Sequence, residues 1–113
     1  MDSEHLIVLC TCPDRATAEE IANTLVEYGH AACVNIIPGI VSVYEWQGQV
    51  EHGEELQLLA KTTKQAYRKV EETIQRLHPY ELPEIVAVPL VKGLNDYLTW
   101  ISIQTSKHRQ AHD

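Results

Sequence analysis

The dominant pattern in this chain lies at residues 31–62, where two extended apolar-rich arms flank Gln47-Gly48-Gln49. The first arm carries Cys33, Val34, Ile36, Ile37, Ile40, Val41, Val43, Tyr44 and Trp46; the second returns through Leu56-Gln57-Leu58-Leu59-Ala60-Lys61. β-Branched and aromatic residues suit a strand, and Gly48 supplies the positive φ that a tight hairpin turn requires. Each arm exceeds the usual strand of about five or six residues. Such a hairpin overhangs a small domain, and its tip must meet water or another chain.

The flanking segments read in two periods. His5–Cys12 reads as a strand, with four aliphatics in a row at 6–9. Pro13-Asp14 ends it, and Asp14 or Thr17 caps a helix in which Ala18, Ile21, Ala22, Leu25 and Val26 recur at helical spacing. Gly29 closes that helix. After the hairpin, Thr63 caps a second helix with Tyr67, Val70, Ile74 and Leu77 on one face. Pro79 stops it by disfavouring helical geometry at His78. Residues 85–91 form a last strand, and Gly93-Leu94-Asn95 leads into a short terminal helix carrying Tyr97, Leu98 and Ile101. Residues 106–113 read as a frayed, flexible polar tail.

The order β-α-β-β-α-β with an added C-terminal helix is the ferredoxin-like arrangement, an α+β sandwich formed by residues 1–113 as a single domain. Its strand order is 4-1-3-2, with strands 2 and 4 at the edges. Pro38 and Pro89 fall in those two strands, where a missing ladder N–H is tolerated. Two helices cover one sheet face, so the strands should alternate apolar and polar. Leu6-Ile7-Val8-Leu9 and Ile85-Val86-Ala87-Val88 do not alternate. The second face is therefore apolar too, which predicts oligomerisation with only partial cover from the terminal helix.

Composition narrows the partners. The 113 residues carry a formal net charge of −7, which disfavours nucleic acid and anionic membranes. Three cysteines without a framework spacing, and a polar start followed by an apolar run of only residues 6–10, predict a cytosolic protein with reduced thiols and no membrane insertion.

Topology gathers one chemical neighbourhood. The first strand ends at Cys10-Thr11-Cys12, the second helix ends at His78 beside that strand end, and the last strand starts there near Glu84. Cys10 and Cys12, two apart on a strand, point to the same face. Thiolate with imidazole suits copper or zinc, and soft sulfur favours Cu(I). Buried structural thiols are the plainer alternative. Cys33, early in the second strand, reads as core. His52 with Glu51, Glu54 and Glu55 reads as a charged β-arm that deters edge pairing. His108 and His112 share the i, i+4 spacing of helical metal pairs but fall in the tail. The chain has no phosphate loop and no nucleophile elbow, and Cys10 with His78 has no recognisable third member, so no enzyme is predicted.

Several motifs then carry a resemblance. Leu9-Cys10-Thr11-Cys12-Pro13-Asp14, Ala31-Ala32-Cys33, Ile37-Pro38-Gly39, Tyr44-Glu45-Trp46-Gln47-Gly48, Leu59-Ala60-Lys61-Thr62-Thr63, His78-Pro79-Tyr80, Leu82-Pro83-Glu84 and Asp96-Tyr97-Leu98-Thr99-Trp100 resemble the CutA family of divalent-cation tolerance proteins. The resemblance implies a homotrimer similar in architecture to PII signalling proteins, with the long hairpins laid on neighbouring subunits. It also implies copper or another divalent cation as ligand and a role in metal homeostasis. The copper set known for a bacterial member is one cysteine and two adjacent histidines. Cys10 matches the cysteine and His78 the second histidine, while Leu77 stands at the first and cannot ligate. The metal candidates are thus Cys10 and His78, with Cys12 and Glu84 as auxiliaries. Tyr44, Glu45, Trp46, Lys61, Tyr80 and Trp100 are expected at an inter-subunit cleft or interface. In a rival reading, a PII-like sensor or scaffold would bind a small ligand or partner protein there. No protein partner beyond the chain's own copies is assigned.

Overall fold

Pro13 ends the first strand, β1 (His5–Cys12), and Asp14 turns the chain: its carboxylate accepts the Thr17 N–H at 2.8 Å and opens α1 (Arg15–Glu27). Gly29, at φ 71°, closes that helix in the left-handed region. The long hairpin follows as β2 (Cys33–Trp46) and β3 (Gln49–Thr63), then α2 (Tyr67–Leu77), β4 (Val86–Pro89) and α3 (Asn95–Ala111). The computed structural model describes residues 4–111, with side chains as far as Lys107. The four strands form one antiparallel sheet in the order β2-β3-β1-β4, so the ferredoxin-like α+β arrangement stands and both strand prolines lie at edges.

Gln47 and Gly48 both have positive φ, at 51° and 80°, and Trp46 pairs with Gln49 across them. This is a primed turn, whose twist matches that of the flanking strands. A bulge interrupts the ladder further in, where Pro38 and Gly39 stand between Ile37↔Gln57 and Ile40↔Glu55, with Gly39 at φ 79°. Extended inward from the turn without it, the register would set Cys33 opposite Thr62. With it, Cys33 lies opposite Lys61. That one-residue slip turns Cys33 away from the helices and leaves it half-buried rather than in the core expected for it.

The core lies between the sheet and α1 and α2. Val8, Cys10, Cys12, Leu58 and Ala60 face Ala18, Ile21, Leu25, Val70 and Ile74, all essentially inaccessible to water. On the opposite face, Ile7 and Leu9 of β1 are half-buried, and Val86 and Val88 of β4 are 49% and 42% exposed. α3 covers only the end of that face where β1 begins. There His5 Nε2 and Ser102 Oγ are 2.8 Å apart and Ile101 is fully buried.

Three boundaries differ from expectation. β4 is shorter than 85–91: it pairs with β1 only from Val86 to Pro89, with the Leu90 N–H to His5 carbonyl bond just beyond. Thr63 caps the turn before α2 rather than the helix itself, accepting the Ala66 N–H at 3.2 Å. α3 is long, not short: no Gly or Pro follows Gly93, so helix continues through Ser106 to Ala111 where a frayed tail is expected. The paired histidines proposed there escape description, since His112 lies outside the described residues and the side chain of His108 is not among those described.

Beyond the last β1 partner at Leu56, the hairpin from Gln49–Trp46 back to the bulge is a two-stranded ribbon. It projects about 20 Å at ~3.4 Å per residue. Val41, Val43, Tyr44, Trp46 and Val50 along it are each at least half exposed. A ribbon of two strands alone is marginally stable in water.

Candidate metal centre

The end of β1 meets the end of α2 at a small buried cluster. Cys10 and Cys12 share the helix-facing side of β1, as alternate positions on a strand must, and are 1% and 0% exposed. His78 follows α2 in extended geometry, with φ −79° and ψ 137°, because Pro79 excludes the helical conformation for the residue before it. Its ring therefore leaves the helix axis and turns inward, where it is buried. One ligand atom from each of Cys10, Cys12 and His78 lies within 4.8 Å of the others. This is the juxtaposition that strand and helix direction predict.

The imidazole is held by backbone on both sides. Nε2 is 2.7 Å from the Thr11 carbonyl, which can only accept, so Nε2 carries the proton. The lone pair of Nδ1 then accepts the Tyr80 N–H at 3.2 Å. Freeing Nε2 strands the buried Thr11 carbonyl, at a cost of about 1–3 kcal/mol, whereas the Tyr80 N–H is only part-buried. The ring of Tyr80 packs on the same imidazole, with centroids 4.7 Å apart.

The two thiols are unequal. The Cys10 thiol has two acceptors in reach, the Cys12 sulfur and the Thr11 carbonyl at 3.7 Å. Its hydrogen bond to Cys12, then burial, then the charges of Cys12, Glu84 and Glu55 push Cys10 far up. The same bond lowers Cys12, against burial and nearby carboxylates. The donor set fits a soft thiophilic metal: two sulfurs in a dry site, with an imidazole alongside.

The other candidates divide. Glu84 is exposed and outside the cluster, though its charge is felt at Cys10. Leu77 is partly buried against the core and offers no ligand atom. Tyr44, Glu45 and Trp46 are exposed on the ribbon, with the Tyr44 ring lying over Gly53. Lys61 hydrogen-bonds to Asn35 and lies 3.8 Å from Cys33 Sγ. Tyr80 donates to Glu55 Oε2 at 3.0 Å, and burial followed by that bond pushes its hydroxyl up to about 12. Trp100 stacks on Tyr97, with centroids 5.6 Å apart. The structure thus joins Tyr80 to the thiol–imidazole cluster and leaves the ribbon aromatics apart from it. Sequence reasoning missed the backbone lock on His78; the only signal for it was the His-Pro step that forces the ring off the helix.

The family model described as "CutA1 divalent ion tolerance protein" matches residues 6–104. The chain is similar to the Divalent-cation tolerance protein CutA of Thermus thermophilus, with 50% identity over 99 residues, covering 88% of this chain and 96% of that one. It is similar to its namesake in Citrobacter koseri at 38% identity, covering 88% and 86% of the two chains. Among solved structures, CutA from Xylella fastidiosa superposes with a TM-score of 0.89 at 44% identity, over 91% of this chain and 99% of that one.

Proposed function

The chain belongs to the CutA1 divalent ion tolerance family, and we propose that it serves metal homeostasis as a homotrimeric, cytosolic metal-binding protein, with copper as the leading candidate ligand. The observation that carries metal binding is the convergence of Cys10, Cys12 and His78 within 4.8 Å. The relatives' names refer to divalent cations, and sulfur donors extend that to copper in either oxidation state. Glu84 contributes charge to the neighbourhood rather than a ligand atom. The reading is of a binding protein, with no catalytic step assigned.

The trimer rests on two exposed apolar surfaces, the projecting ribbon and the sheet face left open by α3. Tyr44 and Trp46 are suited to anchor it, since large aromatics are enriched at interfaces. All three cysteines are free, which accords with a reducing compartment. The experiment is a copper titration of wild type and a Cys10→Ser, Cys12→Ser double variant at matched oligomeric state. The double variant is expected to lose affinity; equal affinity removes the thiols from the function.

A further inference from the structure

The metal-binding reading leaves open which form of the ion the site accepts, and the donor geometry decides it. Cys10 and Cys12 are the donors that binding can use without breaking other structure. Both nitrogens of His78 are engaged by backbone, Nε2 by the buried Thr11 carbonyl and Nδ1 by the part-buried Tyr80 N–H. The neighbouring residue is Leu77, so no second imidazole replaces the first. Among the described residues no fourth donor joins the group, and Cys10 and Cys12 are 1% and 0% exposed.

A divalent zinc-like ion is almost always four-coordinate in a closed site. This cluster cannot supply that shell, nor can solvent complete it. Soft thiolates select Cu(I), a d¹⁰ ion satisfied by two ligands in a line. The donor atoms of the cluster lie within 4.8 Å of one another, close enough for one ion to be shared by both sulfurs. We propose that the site binds copper as the cuprous ion, held in a two-coordinate bridge between Cys10 Sγ and Cys12 Sγ, with His78 remaining on the backbone as a structural lock. This rests on the metal-binding reading above.

The binding step is balanced without redox chemistry. Two S–H bonds break, two S–Cu bonds form, two protons leave to solvent, and copper stays at +1 throughout. Acidification therefore opposes loading. The Tyr80 ring that packs on His78 is 43% exposed.

The test loads the full-length protein anaerobically with Cu(I), supplied as its acetonitrile complex, against a cuprous chelator. X-ray absorption of the wild type is expected to show two sulfur neighbours and no imidazole. Cys12→Ser and Cys12→Ala are each expected to lower Cu(I) affinity more than about a hundredfold, and His78→Gln by no more than the roughly 10–100-fold of an outer-shell change. An imidazole neighbour in the spectrum, or equal losses in the His78 and Cys12 variants, overturns the two-sulfur site. Tighter binding of Zn(II) or Cu(II) than of Cu(I) overturns the cuprous assignment while leaving metal binding intact. Failure to bind any of the three ions overturns both readings.

Discussion

The His78 imidazole meets the Thr11 carbonyl at 2.7 Å, tying the end of α2 to the end of β1 across 67 residues of chain. His78→Ala removes this bond and the acceptor for the Tyr80 N–H together. It is expected to destabilise the fold by about 1–3 kcal/mol, the cost of unsatisfied buried polar groups. His78→Gln, whose amide both donates and accepts, should recover part of the loss. Urea unfolding at fixed protein concentration measures it, because assembly links stability to concentration. A loss below about 0.5 kcal/mol, the usual range for surface changes, would show that the lock carries no stability.

Asp14 makes helix α1 sensitive to acid. The Thr17 N–H bonds its carboxylate and lowers its pKa from the ordinary 3.8. A lowered native value means that the contribution is complete above the unfolded pKa and lost as pH falls through the native one. Wild type should therefore lose stability relative to Asp14→Asn on acidification below the ordinary carboxylate range. At neutral pH the two should be similar, since Asn is also a good cap. Parallel pH series of unfolding midpoints would reveal a flat difference if the cap were idle.

Tyr80 acts with the opposite sign. Burial, then its hydrogen bond to Glu55, raises the hydroxyl from 10.0 to about 12. The bond therefore stabilises below the ordinary value and is lost as pH rises through the native one. Relative to Tyr80→Phe, wild type should keep a constant advantage at neutral pH and forfeit it towards pH 12. Ultraviolet difference titration of wild type against Tyr80→Phe isolates this phenolate among the five tyrosines; a normal midpoint in the difference counts against the Glu55 contact.

The ribbon should govern assembly. Val43→Glu and Trp46→Glu place charges on side chains that are 62% and 61% exposed in the single chain. If these are buried between copies, each variant should shift sedimentation from trimer to monomer at micromolar concentration. An unshifted trimer in both would move the interface to the open sheet face near Val86 and Val88.

Much of the fold was legible from local rules. Asp14, Gly29, Gly48 and Pro79 each mark a boundary through capping, positive φ or a lost helical conformation, and each stands where those rules put it. Strand order followed from the ferredoxin-like arrangement, and both prolines agree with it because only edges tolerate a missing N–H. Pairing of Cys10, Cys12 and His78 at one end of the sheet followed from strand direction alone. The length of α3 was misread because a polar sequence without Gly or Pro can continue as helix once packing at Ile101 and Thr105 anchors it.

By itself the sequence determined the element order, the hairpin and the meeting of two thiols with one imidazole, since all three depend on period, turn chemistry and chain direction. Tertiary structure alone decided register and orientation. The bulge at Pro38 and Gly39 moved Cys33 from the expected core to a place beside Lys61, a shift invisible to a period-two pattern. Folding also turned both nitrogens of His78 to backbone groups of Thr11 and Tyr80. Local spacing reports which side chains come near one another; only packing fixes which of their atoms are already bonded.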